Sequence, residues 1–127
     1  MDAEFNFVDR EMFEKRCSLF SIPMDKKLKE FSTGMKAKLN VLLALSHGSR
    51  LLLLDEPTRG IDVGAKAEIY RLINRMAKEG KTIIMISSEM PELLGMCDRI
   101  MVMHEGHKMG ELNAAEATQA KIMALCS

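Results

Sequence analysis

The chain has 127 residues, of which 47% are hydrophobic and 28% charged, and its formal net charge is zero. This length predicts a single domain that buries most of its apolar surface, and the balanced charge disfavours a nucleic-acid partner. No apolar run approaches the roughly 20 residues that span a bilayer, and Met1–Phe5 lacks the apolar stretch of a secretory signal. The widely spaced Cys17, Cys97 and Cys126 are expected to be reduced thiols rather than a disulfide framework or a metal site.

The first part of the chain is predicted to be helical. Apolar residues at helical spacing predict a helix over residues 9–20, which the segment Ser21–Asp25 ends. Ser32 is placed to cap a second helix, and Gly48 suits a left-handed stop after it. The residues expected on the apolar face of that second helix are Met35, Leu39, Leu42, Leu43 and Ser46. The lysines around it, Lys26, Lys27, Lys29, Lys36 and Lys38, form a modest basic patch that is expected to be a solvated face, with phosphate steering as the alternative.

Two strands with a helix between them are predicted next. Leu51–Asp55 and Thr82–Ile86 do not alternate, so each is predicted to be a strand buried on both faces. Between them, residues 65–79 carry apolar side chains at i, i+3, i+4 and i+7, which predicts a helix that Gly80 closes. The strand–helix–strand order predicts an α/β fold with parallel strands and flanking helices.

The remaining elements are a short helix, a hairpin and a last helix. Pro91 suits the first turn of the short helix. Residues 100–103 and 108–112 flank a turn as a hairpin-like pair. His104 and His107 border that turn and are expected to be exposed turn residues, because a metal site needs more ligands than lie nearby in the sequence. Residues 113 and 116 are spaced like a capping box and predict a helix to about residue 125.

Two adjacent carboxylates follow the first predicted strand. At the end of a buried parallel strand, Asp55 can reach a Mg²⁺ ion, and Glu56 can orient a water for in-line attack on a γ-phosphate. Ser32–Gly34 opens the second helix, where free backbone N–H groups and a hydroxyl can hold a phosphate. Taken singly, these segments are also compatible with a turn and a plain helix cap. Together they predict a nucleotide site.

These motifs resemble those of ATP-binding cassette (ABC) ATPases. Phe31–Met35 is similar to the signature L-S-G-G-Q, from which Thr33 and Met35 depart, and Leu51–Thr58 is similar to the Walker B segment. Asp62 falls in a segment similar to the D-loop, which would place it opposite the other subunit. The resemblance implies a P-loop NTPase fold with ATP and Mg²⁺ as cofactors.

The resemblance also implies roles for single residues. Asp55 would hold Mg²⁺, Glu56 would be the catalytic base, and Ser32, Thr33 and Gly34 would bind nucleotide held by another cassette. The sequence departs from the family in lacking a G-x-x-x-x-G-K-[ST] (Walker A) loop and a glutamine loop, and in having Ser88 where the switch histidine is expected. No arrangement of identical copies supplies the missing phosphate cradle, so the chain alone is predicted not to hydrolyse ATP at a meaningful rate.

The two parts of the chain resemble different branches of the family. Residues 1–48 resemble the cassettes of ABC-2-type exporters and are expected to be a helical signature piece. Residues 51–112 resemble the second cassette of ribose- and galactose-type sugar importers, within an α/β Walker B piece expected over residues 49–127. A fragment and a chimera joined within Leu51–Thr58 are the two explanations that the sequence leaves open.

The resemblance implies the ATP-binding part of an ABC transporter at the cytoplasmic face of the membrane, acting with transmembrane subunits and a complete nucleotide-binding domain. Two alternatives are a non-catalytic folding or oligomerisation module and a regulatory partner that completes the site of another cassette. Losing the Walker A strand would leave an unpaired apolar sheet edge, which predicts a homo-oligomer that could be domain-swapped. The solute and the direction of transport leave no trace in the sequence.

Overall fold

A computed structural model of the protein describes residues 10–127. Its elements are α1 (Arg10–Leu19), α2 (Thr33–Leu45), β1 (Leu51–Asp55), α3 (Val63–Lys78), β2 (Thr82–Ile86), α4 (Met90–Met96), β3 (Arg99–His104), β4 (His107–Asn113) and α5 (Gln119–Cys126), with a 3₁₀ turn at Leu28–Glu30. Residue 9, where the first helix was predicted to begin, lies outside the described residues. Among residues 10–127, no helix has both the length and the apolar character needed to cross a membrane.

The described residues form two compact units, of which the first ends at Ile86 and the second is Ser87–Ser127. In the first unit, β1 and β2 pair in parallel, with Leu51 opposite Thr82 and Asp55 opposite Ile86. The α/β class with parallel strands and flanking helices is therefore confirmed. The helix between the strands buries the predicted stripe, Ile69, Leu72, Ile73 and Met76. The expected boundary between a helical piece ending at residue 48 and an α/β piece beginning at residue 49 stays a prediction.

The two strands are not buried on both faces, so that prediction was wrong. Leu52 and Leu54 are buried, whereas Leu51 and Leu53 are 57% and 65% exposed. On β2, Ile84 is half exposed. Parallel sheets are normally covered on both sides, but within residues 10–127 the burial alternates along β1 because its second face lacks a covering layer. The continuous run of leucines is typical of a parallel sheet that is covered by helices on both faces.

The apolar face predicted for α2 was also partly wrong. The buried positions are Gly34, Lys38, Val41, Leu42 and Leu45, so the helix is rotated relative to the predicted face. The reason is the packing of α2 against α3, where a glycine and a paired lysine lie in the contact. Hydrophobic periodicity cannot identify either residue as part of a buried face.

Two buried cations join the helices of this unit. The guanidinium of Arg16 in α1 donates to the carbonyl oxygen of Leu45 at 2.9 Å and to the carboxylate of Glu79 at 3.3 Å. Lys38, which was expected to be solvated, is buried, pairs with the carboxylate of Glu68 and donates to a carbonyl oxygen that follows α1 at 3.3 Å. Buried charges require partners of this kind because an unpaired one costs several kcal/mol, on the order of 3–5.

The second unit is the predicted hairpin with helices packed on it. β3 and β4 are antiparallel, with an irregularity between Val102 and Met103. Its core is formed by Ile100, Val102 and Ile122, against which residues of α4 and α5 pack. The predicted start of the last helix was wrong. Asn113 N–H does donate to Glu116 at 3.1 Å, but this pair closes a turn, and the helix begins later because Thr118 caps it.

Candidate functional site

The two acids predicted to be functional lie where β1 ends. Asp55 is exposed and is paired in the sheet with Ile86. The next residue, Glu56, has a positive φ of 46° and donates its N–H to the carbonyl oxygen of Ile86 at 2.8 Å. A non-glycine residue in this region is strained and often marks a functional turn. The backbone therefore turns away from the direction of β1 between Asp55 and Glu56.

The chain after the acids forms a tight turn into α3. Thr58 is buried, and its carbonyl oxygen accepts from the N–H of Ile61 at 3.1 Å. Asp62 caps α3 by accepting from the N–H of Ala65 at 2.9 Å. The helix consequently begins at Val63, two residues earlier than predicted. The predicted contact of Asp62 with an opposite subunit stays a prediction, and its carboxylate already has this local role.

The signature-like segment forms the start of α2 as predicted. Ser32 is the N-cap, and its hydroxyl oxygen accepts from the N–H of Met35 at 3.1 Å. Ser32 and Thr33 are exposed, whereas Gly34 is buried. A Cβ at Gly34 would lie 2.7 Å from the Cβ of Ala65 in α3. The glycine therefore has a packing role that its place in a phosphate-binding motif did not reveal.

A groove of about 450 Å³ lies between the start of α2 and the end of β1. Three of the predicted residues line it: Thr33, Asp55 and Glu56. Ser32, Gly34 and Asp62 do not line it. Lys36, from the basic patch noted in the sequence, also lines it, and the lining residues that the sequence did not single out include Asn40 and Arg59. Asn40 follows Thr33 by seven residues, so the helical period places both on one face and could have identified it.

Ser88 lies in the second compact unit, between β2 and α4, and is exposed. The neighbouring Ser87 hydroxyl accepts from the N–H of Glu89 at 3.0 Å and fixes the local turn. That Ser88 occupies the position of the family's switch histidine and acts in catalysis there stays a prediction.

The acids fit one part of a magnesium–nucleotide site. Within residues 10–127, no cluster of three or more His, Cys, Asp and Glu side chains could hold a metal ion by itself. Mg²⁺ does not require such a cluster, because it is usually held by one or two carboxylates together with substrate phosphates and water. Asp55, exposed at a strand end beside the groove, has the oxygen chemistry for that share of the ligands.

Comparison with known families gives a match over residues 27–92, just over half of the chain, to the family described as "AAA domain, putative AbiEii toxin, Type IV TA system". The chain belongs to this AAA-domain family. The match begins before the signature-like segment and ends beyond Ser88, so it includes every residue that the sequence predicted to be functional.

The curated relatives are sugar-import proteins. The chain is 51% identical over 119 residues to the "Putative ribose/galactose/methyl galactoside import ATP-binding protein" of Geobacillus kaustophilus, covering 94% of this chain and 24% of the relative. It is 46% identical over 124 residues to the ribose import ATP-binding protein RbsA of Bacillus subtilis, covering 98% of this chain and 25% of the relative. The chain thus spans about a quarter of the length of these relatives.

Solved structures agree on the fold. The ADP conformation of an ATP-binding cassette of an ABC transporter aligns with a TM-score of 0.78 at 20% identity, over 91% of this chain and 48% of the cassette. A nucleotide-free cassette aligns with a TM-score of 0.76 at 21% identity, over 91% of this chain and 45% of the cassette. The chain therefore has the fold of part of an ABC ATP-binding cassette, and the resemblance to that family is confirmed.

The relatives also bear on the two resemblances found in the sequence. One sugar-import protein matches 94% of the chain, which includes most of residues 1–48 as well as the Walker B part. A single relative thus accounts for both parts, and joining two different proteins is not needed to explain them.

Proposed function

We propose that this chain supplies the signature and Walker B parts of the ATP-binding component of a sugar importer. The observation that carries the proposal is the shared groove, in which Thr33 at the start of the signature helix lies with both acids, Asp55 and Glu56. The sequence identity to sugar-import ATP-binding proteins supports the substrate class. ATP hydrolysis would then be coupled to solute transport in the whole protein.

The site residues expected from the sequence have these proposed tasks. Asp55 holds Mg²⁺, which when bound neutralises charge on the nucleotide phosphates. Glu56 accepts a hydrogen bond from a water and orients it toward the γ-phosphate. Ser32 and Gly34 lie at the α2 N-terminus, where N–H groups and the helix dipole favour an anion that another cassette presents. Ser88 takes the place of the switch histidine.

The partners follow from this assignment. The chain acts with ABC transmembrane subunits and with a complete nucleotide-binding domain, at the cytoplasmic face of the membrane. It has no Walker A loop, which supplies most of the contacts to the β- and γ-phosphates. The isolated chain is therefore expected not to bind or hydrolyse ATP.

The test of this function is complementation in trans. A complete cassette from a sugar importer, with its signature serine replaced by alanine, is mixed with the purified chain and its ATPase rate is measured. The wild-type chain should raise the rate, and Ser32→Ala should not. A matched control, Ser49→Ala in the loop before β1, should act like the wild type. A rate that the wild-type chain leaves unchanged would refute the proposal.

Calorimetric titration of the chain with ATP and Mg²⁺ tests whether the isolated chain binds nucleotide without another cassette. No heat of binding is expected at millimolar nucleotide. Micromolar binding that Asp55→Asn abolishes would show that the chain contains a phosphate site of its own, and the enzyme assignment would have to include the isolated chain.

A second candidate function is an oligomerisation module, and a specific surface favours it. Four apolar side chains on the two neighbouring strands β1 and β2 are each about half exposed or more: Leu51, Leu53, Ile84 and Ile86. Among residues 10–127, the sheet that these strands form also has two unpaired edges. Such edges and faces pair readily with a second copy. Light scattering should give a dimer or larger species, and Leu53→Lys should shift it toward the monomer. A monodisperse wild-type monomer would exclude this candidate.

A further inference from the structure

Two histidines of the second compact unit lie opposite each other at the end of its hairpin. His104 is the last residue of β3 and His107 the first of β4, and they are partners in the antiparallel register. Both are exposed. The sequence alone indicated only two turn residues three positions apart, whereas the register makes them a cross-strand pair.

The turn between them fixes this pairing. Glu105 and Gly106 have φ values of 46° and 80°, the positive values that a two-residue turn of type I′ requires at both central positions. Residues directly opposite in an antiparallel pair project from the same face, with Cβ atoms about 4.5–5.5 Å apart. The irregularity of the ladder lies beyond this point, between Val102 and Met103, and does not disturb the pair.

We propose that His104 and His107 together bind one divalent transition-metal ion. Imidazole nitrogens bind such an ion at about 2.0–2.1 Å, which brings the two nitrogens to about 3 Å from each other. Cβ atoms about 5 Å apart allow the two rings to converge to that distance. Imidazole suits Ni²⁺, Cu²⁺ and Zn²⁺, whereas Mg²⁺ and Ca²⁺ prefer oxygen ligands.

The site has two protein ligands. Among the residues that the structure describes, no set of three or more His, Cys, Asp and Glu side chains could surround an ion, so water completes the coordination. Its residues belong to the second compact unit and are different from those assigned to the nucleotide. Removing one imidazole destroys the chelate, because the second ligand then no longer acts at high effective concentration.

Calorimetric titration of the full chain with NiCl₂ and CuCl₂, in a buffer that does not bind metals, tests the proposal. One ion per chain is expected. His104→Ala and His107→Ala should each lower the affinity at least about tenfold, and the double variant should lose little more. His47→Ala, at the end of α2, is the matched control and should leave the affinity unchanged.

A second variant keeps the composition and moves one ligand. Exchanging two neighbours, as His107→Lys with Lys108→His, puts the imidazole on the opposite face of the strand and should abolish tight binding. Cu²⁺ added to the wild-type chain should broaden the NMR signals of His104 and His107 at a lower concentration than those of His47. This measurement does not depend on the folding of any variant. The proposal is overturned if the exchange variant binds as tightly as the wild type, or if His47 broadens first.

Discussion

Gly34 is a position at which one added methyl group should disturb the packing of two helices. In Gly34→Ala, the new Cβ would lie 2.7 Å from the Cβ of Ala65, whereas carbon atoms in favourable contact are about 3.5–4.0 Å apart. The Ala65 methyl is attached directly to the α3 backbone and cannot rotate away. The overlap of about 1 Å must therefore be relieved by moving α2 away from α3.

The expected change in stability is the balance of two effects. Overpacking of this kind costs about 1–3 kcal/mol. Replacing glycine by alanine within a helix returns up to about 1 kcal/mol through helix propensity. Gly34→Ala should therefore lower the free energy of unfolding by about 1 kcal/mol. Gly64→Ala at the start of α3 is the matched control, because its nearest atom is a carboxylate oxygen at 3.4 Å, and it should be neutral or stabilising.

A double-mutant cycle isolates the contact itself. Ala65→Gly removes the methyl that clashes, so Gly34→Ala should be tolerated in that background, with a coupling energy of about 1–3 kcal/mol. The free energies of unfolding are measured by urea titration followed by circular dichroism. A Gly34→Ala chain at least as stable as the wild type, with no coupling to Ala65→Gly, would refute the packing role of this glycine.

Three further predictions concern buried and titrating groups. Arg16→Met removes the donor to the α2 carbonyl of Leu45 and should lower the free energy of unfolding, measured with urea, by about 1–3 kcal/mol. Glu79→Gln, at the half-exposed partner of Arg16, should lower it by less than about 1 kcal/mol, and the reverse order would contradict the importance of the buried hydrogen bond. The hydrogen bond from Lys108 lowers the pKa of Glu111, so the stabilisation by this pair is present above the unfolded-state pKa and is lost as the pH falls through the folded-state pKa. In Lys108→Met, an NMR titration should give a higher pKa for Glu111, and an unchanged pKa would exclude Lys108 as the cause. Burial raises the pKa of the Cys97 thiol, so the free energy of unfolding should decline as the pH rises from the unfolded-state pKa through the folded-state pKa. Urea unfolding of Cys97→Ser at several alkaline pH values should show a smaller decline, and an equal decline would mean that other groups cause it.

Local sequence was sufficient to locate most elements. The stripe of Ile69, Leu72, Ile73 and Met76 predicted α3 because helical periodicity is a property of the chain itself. Ser32 as a cap and the hairpin turn were predictable for the same reason, since capping and positive φ depend on residues only a few positions apart. The last helix was misplaced because two capping signals, at residues 113 and 118, compete within one short segment.

The sequence by itself determined the chemistry of the chain: the adjacent acids Asp55 and Glu56, the signature-like cap before them, and the absence of a phosphate-binding loop. Only the tertiary structure decided which surfaces are used. It rotated α2 through a glycine contact and a buried lysine, added Asn40 to the groove and made His104 and His107 a cross-strand pair. The physical reason is that composition and spacing act along the chain, whereas burial and pairing depend on which distant segment packs against each residue.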